Sequence, residues 1–451
     1  MKKNKILIFI ILFIVLISGR PLISFAEDRY AELQNFSKIL NLVQQYYVEE
    51  VDTKKLVEGA IKGMLRELDP HTNYMPADMF KDFESETSGE FGGIGIEISV
   101  QNSVLTIISP IEDTPAWIAG IKPGDKIVAI NGQSTKGFSL VEASALLKGK
   151  RGSKITLSIV RENQEKPMDF VITRGSVKIK SVKATPLDDG YLYVKITSFI
   201  ENTSSDLEKV LRDFKSKNSG KMEGILIDLR RNPGGLLEQA IRVSDLFLKD
   251  GVIVSTIGRD PKNKEVSMAT KKAPFPDVPI VVLINEFSAS ASEIVSGALQ
   301  DNKRAIIVGE RSFGKGSVQS VIKLGDGSGL KLTVARYYTP SGVSIQSEGI
   351  KPDIEIEDVD AEVFAKAVNK TKGVREKDIS GHLKSDKEKL AEKKNQPVPN
   401  MEKNAVAWWK DIGSKKDSEL TEKEKLFKTD YQAYQALSYL KALKTLKIMS
   451  K

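Results

Sequence analysis

No cysteine occurs among the 451 residues of the chain. Thiol nucleophiles, disulfides and cysteine-ligated zinc are thereby excluded. Histidine is almost as scarce, with only His71 and His382. His382 lies in a Lys/Glu-rich stretch with too little apolar surface to form a core, so a Ser-His-Asp triad would rest on His71 alone. His71 stands in LDPHTNY, just behind a proline, and reads as a turn residue. A metal site built on two histidines is weaker still, so no metal or other cofactor is expected. Charge of one sign is not in large excess: 68 basic residues face 60 acidic ones, for a net charge of +8. With no basic patch interleaved by aromatics, nucleic acid is not an expected partner. Internal repeats are absent.

Long apolar runs are missing except at the start. Residues 6–19, ILIFIILFIVLISG, follow Lys2, Lys3 and Lys5. That run falls short of the roughly 20 residues that span a bilayer. With Ser24-Phe25-Ala26 as a small-x-small site, residues 1–26 read as an export signal, cleaved or kept as an anchor. The protein is then expected outside the cytoplasm, periplasmic or extracytoplasmic, where ATP is scarce.

What is present changes character along the chain. Residues 27–87 carry helical spacing, with Leu33, Phe36, Ile39, Leu42 and Val43 on one side; a packing or self-association unit is expected there. Residues 88–175 turn to short strands and glycine turns. Residues 176–357 alternate strands such as YLYVKI, GILIDLR, IVVLIN, AIIVGE and LKLTVARYY with helices at 203–215, 235–249 and 291–300, an α/β pattern. Residues 358–400 are charged and read as a linker. Residues 401–451 regain helical spacing through Leu426, Tyr431, Tyr434, Leu437, Leu440 and Leu443.

The densest chemistry lies at 279–319. An apolar strand runs into FSASASEI, and the next strand runs into the glycine-flanked Lys315, with Gln319 four residues on. A hydroxyl at the end of one strand and a lysine at the end of the next can meet at one sheet edge, as a nucleophile and its base. Ser288, Ser290 and Ser292 compete for the first role, and Ser290 to Glu293 also fits a helix capping box. Gly309 to Lys315 resembles most of a phosphate loop, but Gly316 replaces the magnesium-binding Ser/Thr and a strand-like segment follows. DLRRNPGG ends another strand and exposes backbone N–H groups ahead of a helix.

GGIGIEI, AGIKPGDKIVAINGQ, a helix EASALLKG and the strand ITLSIVR together resemble a PDZ domain. Such a domain would offer Gly92, Gly93, Ile94, Gly95 and Ile96 as a carboxylate loop beside a free strand edge. DLRRNPGG, FSASASEI, GERSFGKGSVQ and YYTPSGVSIQSEGIKPDIEI resemble the carboxyl-terminal processing peptidases, over roughly residues 30–357. That resemblance implies an exported Ser/Lys endopeptidase: an α/β core of mixed sheets and helices, an inserted β-rich PDZ domain and helical termini. It places the nucleophile on Ser290, the general base on Lys315 and the base-orienting amide on Gln319. The oxyanion donors fall on the N–H groups of Ala291 and Gly235. Val343 departs from the basic residue common there. Expected partners are peptides with free apolar C-termini, a regulatory protein and a second copy through the helical ends. Arg161 is a candidate link from the PDZ domain to the core or to a bound peptide. A lysine working as base near neutrality must titrate far below its ordinary ~10.4, and an apolar site has to supply about 4 kcal/mol for that. The competing class is a non-catalytic PDZ adaptor on a decayed protease fold.

Overall fold

The computed structural model describes residues 21–359 and 412–449, apart from 102–103, 112, 139, 163, 165, 188–189 and 414. The apolar run at 6–19 and almost all of the expected linker lie outside the described residues. Two units are distinguished: residues 1–76 with 320–333, and residues 77–319 with 334–451.

In the first unit, helices Pro21–Tyr46 and Thr53–Arg66 precede a short strand, Asn73–Met75, which pairs antiparallel with residues 329–331. Asp52 caps the second helix by accepting the Lys54 N–H at 2.8 Å. Asp69 closes the following turn, accepting the N–H groups of His71 and Thr72 at 2.7 and 2.9 Å. His71 is thus the turn residue its sequence context implies. Leu33, Phe36, Ile39 and Leu42 are all exposed. No helix among the described residues is long and apolar enough to cross a membrane.

The second unit is organised by a six-stranded sheet. Its order is Val182–Pro186, Tyr191–Ile196, Gly224–Asp228, Ile280–Ile284, Ile306–Gly309 and Ile354–Glu355. Only the first pair is antiparallel. Gly224–Asp228 and Ile280–Ile284 are buried at every position, as parallel strands covered on both faces must be. Side chains alternate between the two faces. Ile225, Ile227, Ile280, Val282 and Ile284 join one core, together with helices Thr203–Lys217, Leu237–Asp245 and Ala291–Asp301. Leu226, Val281 and Leu283 face the other way, onto Phe427, Ala433, Ala436, Leu437 and Leu440. The C-terminal helices Glu422–Thr429 and Tyr431–Met449 therefore cover the second face of the sheet. Strand Val252–Gly258 pairs antiparallel with residues 335–338 and with Lys264–Met268.

The PDZ expectation corresponds to a separate sheet, Ile96–Gln101, Val104–Pro110, Lys126–Ile130, Lys154–Val160 and Met168–Thr173, with its own core around Ile107, Ile127, Leu157 and Ile159. The chain enters and leaves it through an antiparallel ribbon, Glu90–Gly93 with Gly175–Lys178. The architecture is an α/β core with a β-rich insertion.

Candidate active site

Three parallel strands end side by side in chemistry-bearing loops: Gly224–Asp228 in LRRNPGG, Ile280–Ile284 in NEFSAS, and Ile306–Gly309 in ERSFGKG. The carboxyl ends of parallel strands are where α/β sheets form their sites.

The three serines separate by what their hydroxyls do. Ser288 donates to the Leu229 carbonyl at 2.8 Å, and Ser292 to the Asn232 carbonyl at 3.0 Å. Both are fully buried and tie their loop to the neighbouring one. Ser290 takes no such part. The Glu293 N–H donates to the Ser290 carbonyl oxygen at 2.9 Å. Ser290 stands at the N-cap of helix Ala291–Asp301 with φ 55° and ψ −113°, backbone values that strain a non-glycine residue and cluster at functional sites. Ser288→Ala and Ser292→Ala are expected to lower stability by about 0.5–1.5 kcal/mol each, the net worth of one hydrogen bond, because the Leu229 and Asn232 carbonyls keep the N–H groups of Asn232 and Ala289. Ser290→Ala should lower stability by no more than about 1 kcal/mol, through loss of the contact with the Tyr337 hydroxyl. A thermal melt of the three variants checks this.

The turn Asn232–Gly235 lies against Ser290. A side chain at Gly234 would bring its Cβ to 2.8 Å from the Ser290 Cβ and 3.0 Å from the Ala291 nitrogen; at Gly235 it would meet the Phe199 carbonyl oxygen at 2.2 Å. Both glycines also have left-handed φ, 104° and 143°. Asn232 shapes the turn by accepting the Gly234 N–H at 2.9 Å and donating to the Ile196 carbonyl. Among the described residues, the N–H groups of Gly235 and Ala291 have no acceptor. The Ala291 N–H also opens a helix, where the backbone carries partial positive charge. Two free donors beside a strained serine can stabilise an oxyanion.

On the third loop, the Phe313 N–H donates to the Ser288 carbonyl at 3.0 Å. Phe287 and Phe313 both stand exposed on these loops. The segment after Lys315, Ser317–Lys323, is a strand. A phosphate loop would open a helix there, so that alternative falls. Gln319 donates to the Ser317 hydroxyl at 2.8 Å and to its carbonyl at 3.2 Å. Ser317 and Gln319 alternate along the strand and share a side of it, so the carboxamide reaches back toward the Lys315 end.

Two residues enter the site that sequence reasoning did not place there. Glu293 is fully buried and accepts the backbone N–H groups of both Ser290 and Lys315 on one oxygen, at 2.7 and 2.9 Å. Burial pushes its carboxyl above the ordinary value, against the hydrogen bonds it accepts. The capping box signalled only the Ser290 contact. Tyr337 is buried with its hydroxyl on that of Ser290, and burial pushes the phenol up to about 12, so it stays neutral across the working range. Nothing in the sequence pointed to it.

A charged cluster adjoins the Asn232–Gly235 turn in the chain, at Asp228 and Arg230. Arg230 donates to Asp228 through Nε at 3.0 Å and through a terminal nitrogen at 2.7 Å, and also reaches Asp430 and Gln432. Tyr193 donates to Asp228 at 2.6 Å, and Lys195 lies 3.8 Å away. Burial alone would push the Asp228 carboxyl up. The Arg230 guanidinium, Lys195 and the Tyr193 hydroxyl outweigh it and hold the group below its ordinary value.

In the insertion, Gly92 and Gly93 lie in the entry ribbon, paired with Ser176 and Gly175. A turn joins that ribbon to the first strand of the insertion. It comprises Ile94 and Gly95, whose N–H groups have no acceptor among the described residues, followed by Ile96 at the start of an edge strand. Helix Leu140–Leu147 packs beside that strand. Arg161 is engaged within its own domain: it forks onto Asp125 at 2.7 and 2.8 Å and donates to the Gly120 carbonyl at 3.0 Å.

Comparison with known proteins gives three matching family profiles. Peptidase family S41 covers residues 190–356, the PDZ domain 106–161, and the "Activating protease CtpB N-terminal domain" 23–79. The "Carboxy-terminal-processing protease" of Bartonella bacilliformis is 47% identical over 365 residues, which are 80% of this chain and 83% of that one. The "Carboxy-terminal processing protease CtpA" of Bacillus subtilis is 37% identical over 342 residues, 76% of this chain and 72% of the other. Among solved structures, the "Photosystem II D1 C-terminal processing protease" aligns with a TM-score of 0.43 at 29% identity, covering 71% of this chain and 92% of that one.

Proposed function

The chain belongs to the carboxy-terminal-processing proteases, and within that family we propose an exported serine endopeptidase working through a Ser290–Lys315 dyad. Ser290 Oγ attacks the carbonyl carbon of the scissile peptide bond while Lys315 Nζ takes its proton. The oxyanion accepts the N–H groups of Ala291 and Gly235. Lys315 then protonates the leaving amine, which departs as the C–N bond breaks. Water attacks the acyl ester, with Lys315 again as base, and restores Ser290. Gln319 orients the amine through a neutral amide, where a carboxylate would hold the lysine charged.

The observation that carries this reading is the state of the three serines. Two hydroxyls are committed to neighbouring carbonyls, and the third sits strained beside two unused backbone donors. Labelling with a fluorophosphonate probe tests it. A covalent adduct located on Ser290 by mass spectrometry supports the dyad, while an intact protein that takes up no probe supports a non-catalytic PDZ adaptor.

We further infer that the PDZ domain delivers substrate by capturing a free, apolar-ended C-terminus at Ile94–Ile96, with the peptide added along the edge strand. C-terminal amidation of such a peptide is expected to weaken both binding and cleavage about tenfold or more, because the carboxylate loses its backbone donors. Equal turnover of free and amidated peptides by the intact enzyme would remove C-terminal recognition.

A further inference from the structure

The Glu293 carboxylate does more than a helix cap requires. A capping box needs one contact from its third residue, back to the N-cap N–H. Glu293 accepts four hydrogen bonds. One oxygen takes the Ser290 N–H at 2.7 Å and the Lys315 N–H at 2.9 Å; the other takes the Ser312 hydroxyl and the Gly314 N–H, both at 2.6 Å. All four donors are neutral, and three belong to backbone. Among the described residues no cation is paired with this carboxylate. A buried carboxylate without a counter-ion is expensive to maintain. An amide could not replace it, because a carboxamide presents one acceptor oxygen and one donor nitrogen to four donors.

The residues so joined are the nucleophile and the base. Twenty-two positions separate Glu293 from Lys315 in sequence, and the two loops come from different strands. The Oε2 atom fixes the main chain of both at once. On the Ser290 side it holds the nitrogen of a residue whose φ of 55° is unfavourable without restraint. On the Lys315 side it holds the start of the segment that projects the amine. Ser312 extends the bracing, because its hydroxyl donates to Glu293 while accepting the Ile350 N–H at 2.6 Å.

We propose that Glu293 is the positioning residue of the dyad, a carboxylate whose single oxygen sets the distance and angle between the Ser290 hydroxyl and the Lys315 amine. This rests on the Ser/Lys reading given above. It touches neither substrate nor the transferred proton; it acts through the two backbones. A misplacement of about 1 Å between reacting groups lowers turnover on the order of 10²-fold, which sets the expected effect.

The test uses the full-length enzyme and a peptide with a free apolar C-terminus. Glu293→Gln is expected to lower kcat by about 10²-fold or more and to slow fluorophosphonate labelling of Ser290 in proportion. KM should change little, because the peptide-binding turn is untouched. Glu293→Asp keeps the charge but withdraws it by one methylene, so it should recover part of the lost kcat while keeping KM. A Glu293→Gln enzyme that folds and turns over within threefold of wild type overturns the proposal. So does a loss of kcat that vanishes once rates are normalised to the folded fraction, since that describes a structural role only. If Glu293→Gln does not fold, Glu293→Asp decides: reduced kcat at unchanged KM and thermal midpoint supports the assignment, whereas wild-type turnover or failure to fold overturns it. Ser290→Ala run in parallel separates this idea from its premise. Cleavage surviving in Ser290→Ala ends the Ser/Lys reading itself, while a dead Ser290→Ala beside fully active Glu293 variants ends only the positioning role.

Discussion

Ser290→Ala and Lys315→Ala are each expected to lower peptide turnover by on the order of 10⁴–10⁶-fold while leaving the protein folded. In the proposed mechanism the two groups act in one proton transfer, so the double variant should be no slower than either single one. The residual rate would come from the donors at Gly235 and Ala291 and from substrate binding. Lys315→Arg should be as inactive as Lys315→Ala, because a guanidinium does not deprotonate near neutrality. In the wild-type enzyme kcat should rise from mildly acid to mildly alkaline pH, because the reaction needs the neutral amine. Steady-state kinetics on purified variants, with circular dichroism to certify folding, decide the matter. Near-normal turnover in Lys315→Ala would move the base elsewhere, and His71→Ala is the variant to examine next.

Arg230→Ala is expected to produce the largest loss of stability, about 3–5 kcal/mol in urea denaturation. The guanidinium lies between two carboxylates, and Asp228 is fully buried. Its removal leaves that charge without a close cation, holding the residue-230 N–H at 2.9 Å and the Tyr193 hydroxyl, with Lys195 3.8 Å away. A folded protein of ordinary stability has about 5–15 kcal/mol in all, so unfolding near growth temperature is a realistic outcome. The pH dependence follows from the depressed Asp228 value. A carboxyl whose folded value lies below its unfolded one contributes fully above the unfolded value, ~3.9, and the contribution is lost as pH falls through the folded value. The stability gap between wild type and Arg230→Ala should therefore be constant near neutrality and close in acid. A gap that widens as pH falls would contradict this account.

Local pattern carried much of this architecture. The strands at 191–196, 224–228, 280–284 and 306–309 and the helices at 203–217, 237–245 and 291–301 follow the apolar runs and spacing that announced them. The motifs holding Ser290 and Lys315 were legible because each follows an apolar strand, and those two strands are adjacent and parallel. Contacts made across the sequence were not legible. The C-terminal segment reads as helical from Leu437 and Leu440, but nothing local says that they close the second face of the central sheet. Asp430 meets Arg230 two hundred positions away. No motif announces strand Val252–Gly258, which pairs with the segment that carries Tyr337, opposite Thr256. Glu293 was seen as a cap because only one of its four donors is nearby in sequence. Arg161 meets Asp125, 36 positions earlier, a contact no local pattern announces.

The docking of residues 417–449 onto the sheet also has a consequence in time. The ribosome makes these residues after every strand of that sheet. At about 5–20 residues per second, several seconds separate the last strand from the last helix. During that interval Ser290 and Lys315 already exist in the nascent chain, but Leu226, Val281 and Leu283 lack cover and Arg230 lacks Asp430. The second face of the sheet is therefore the last part of this core to gain its cover.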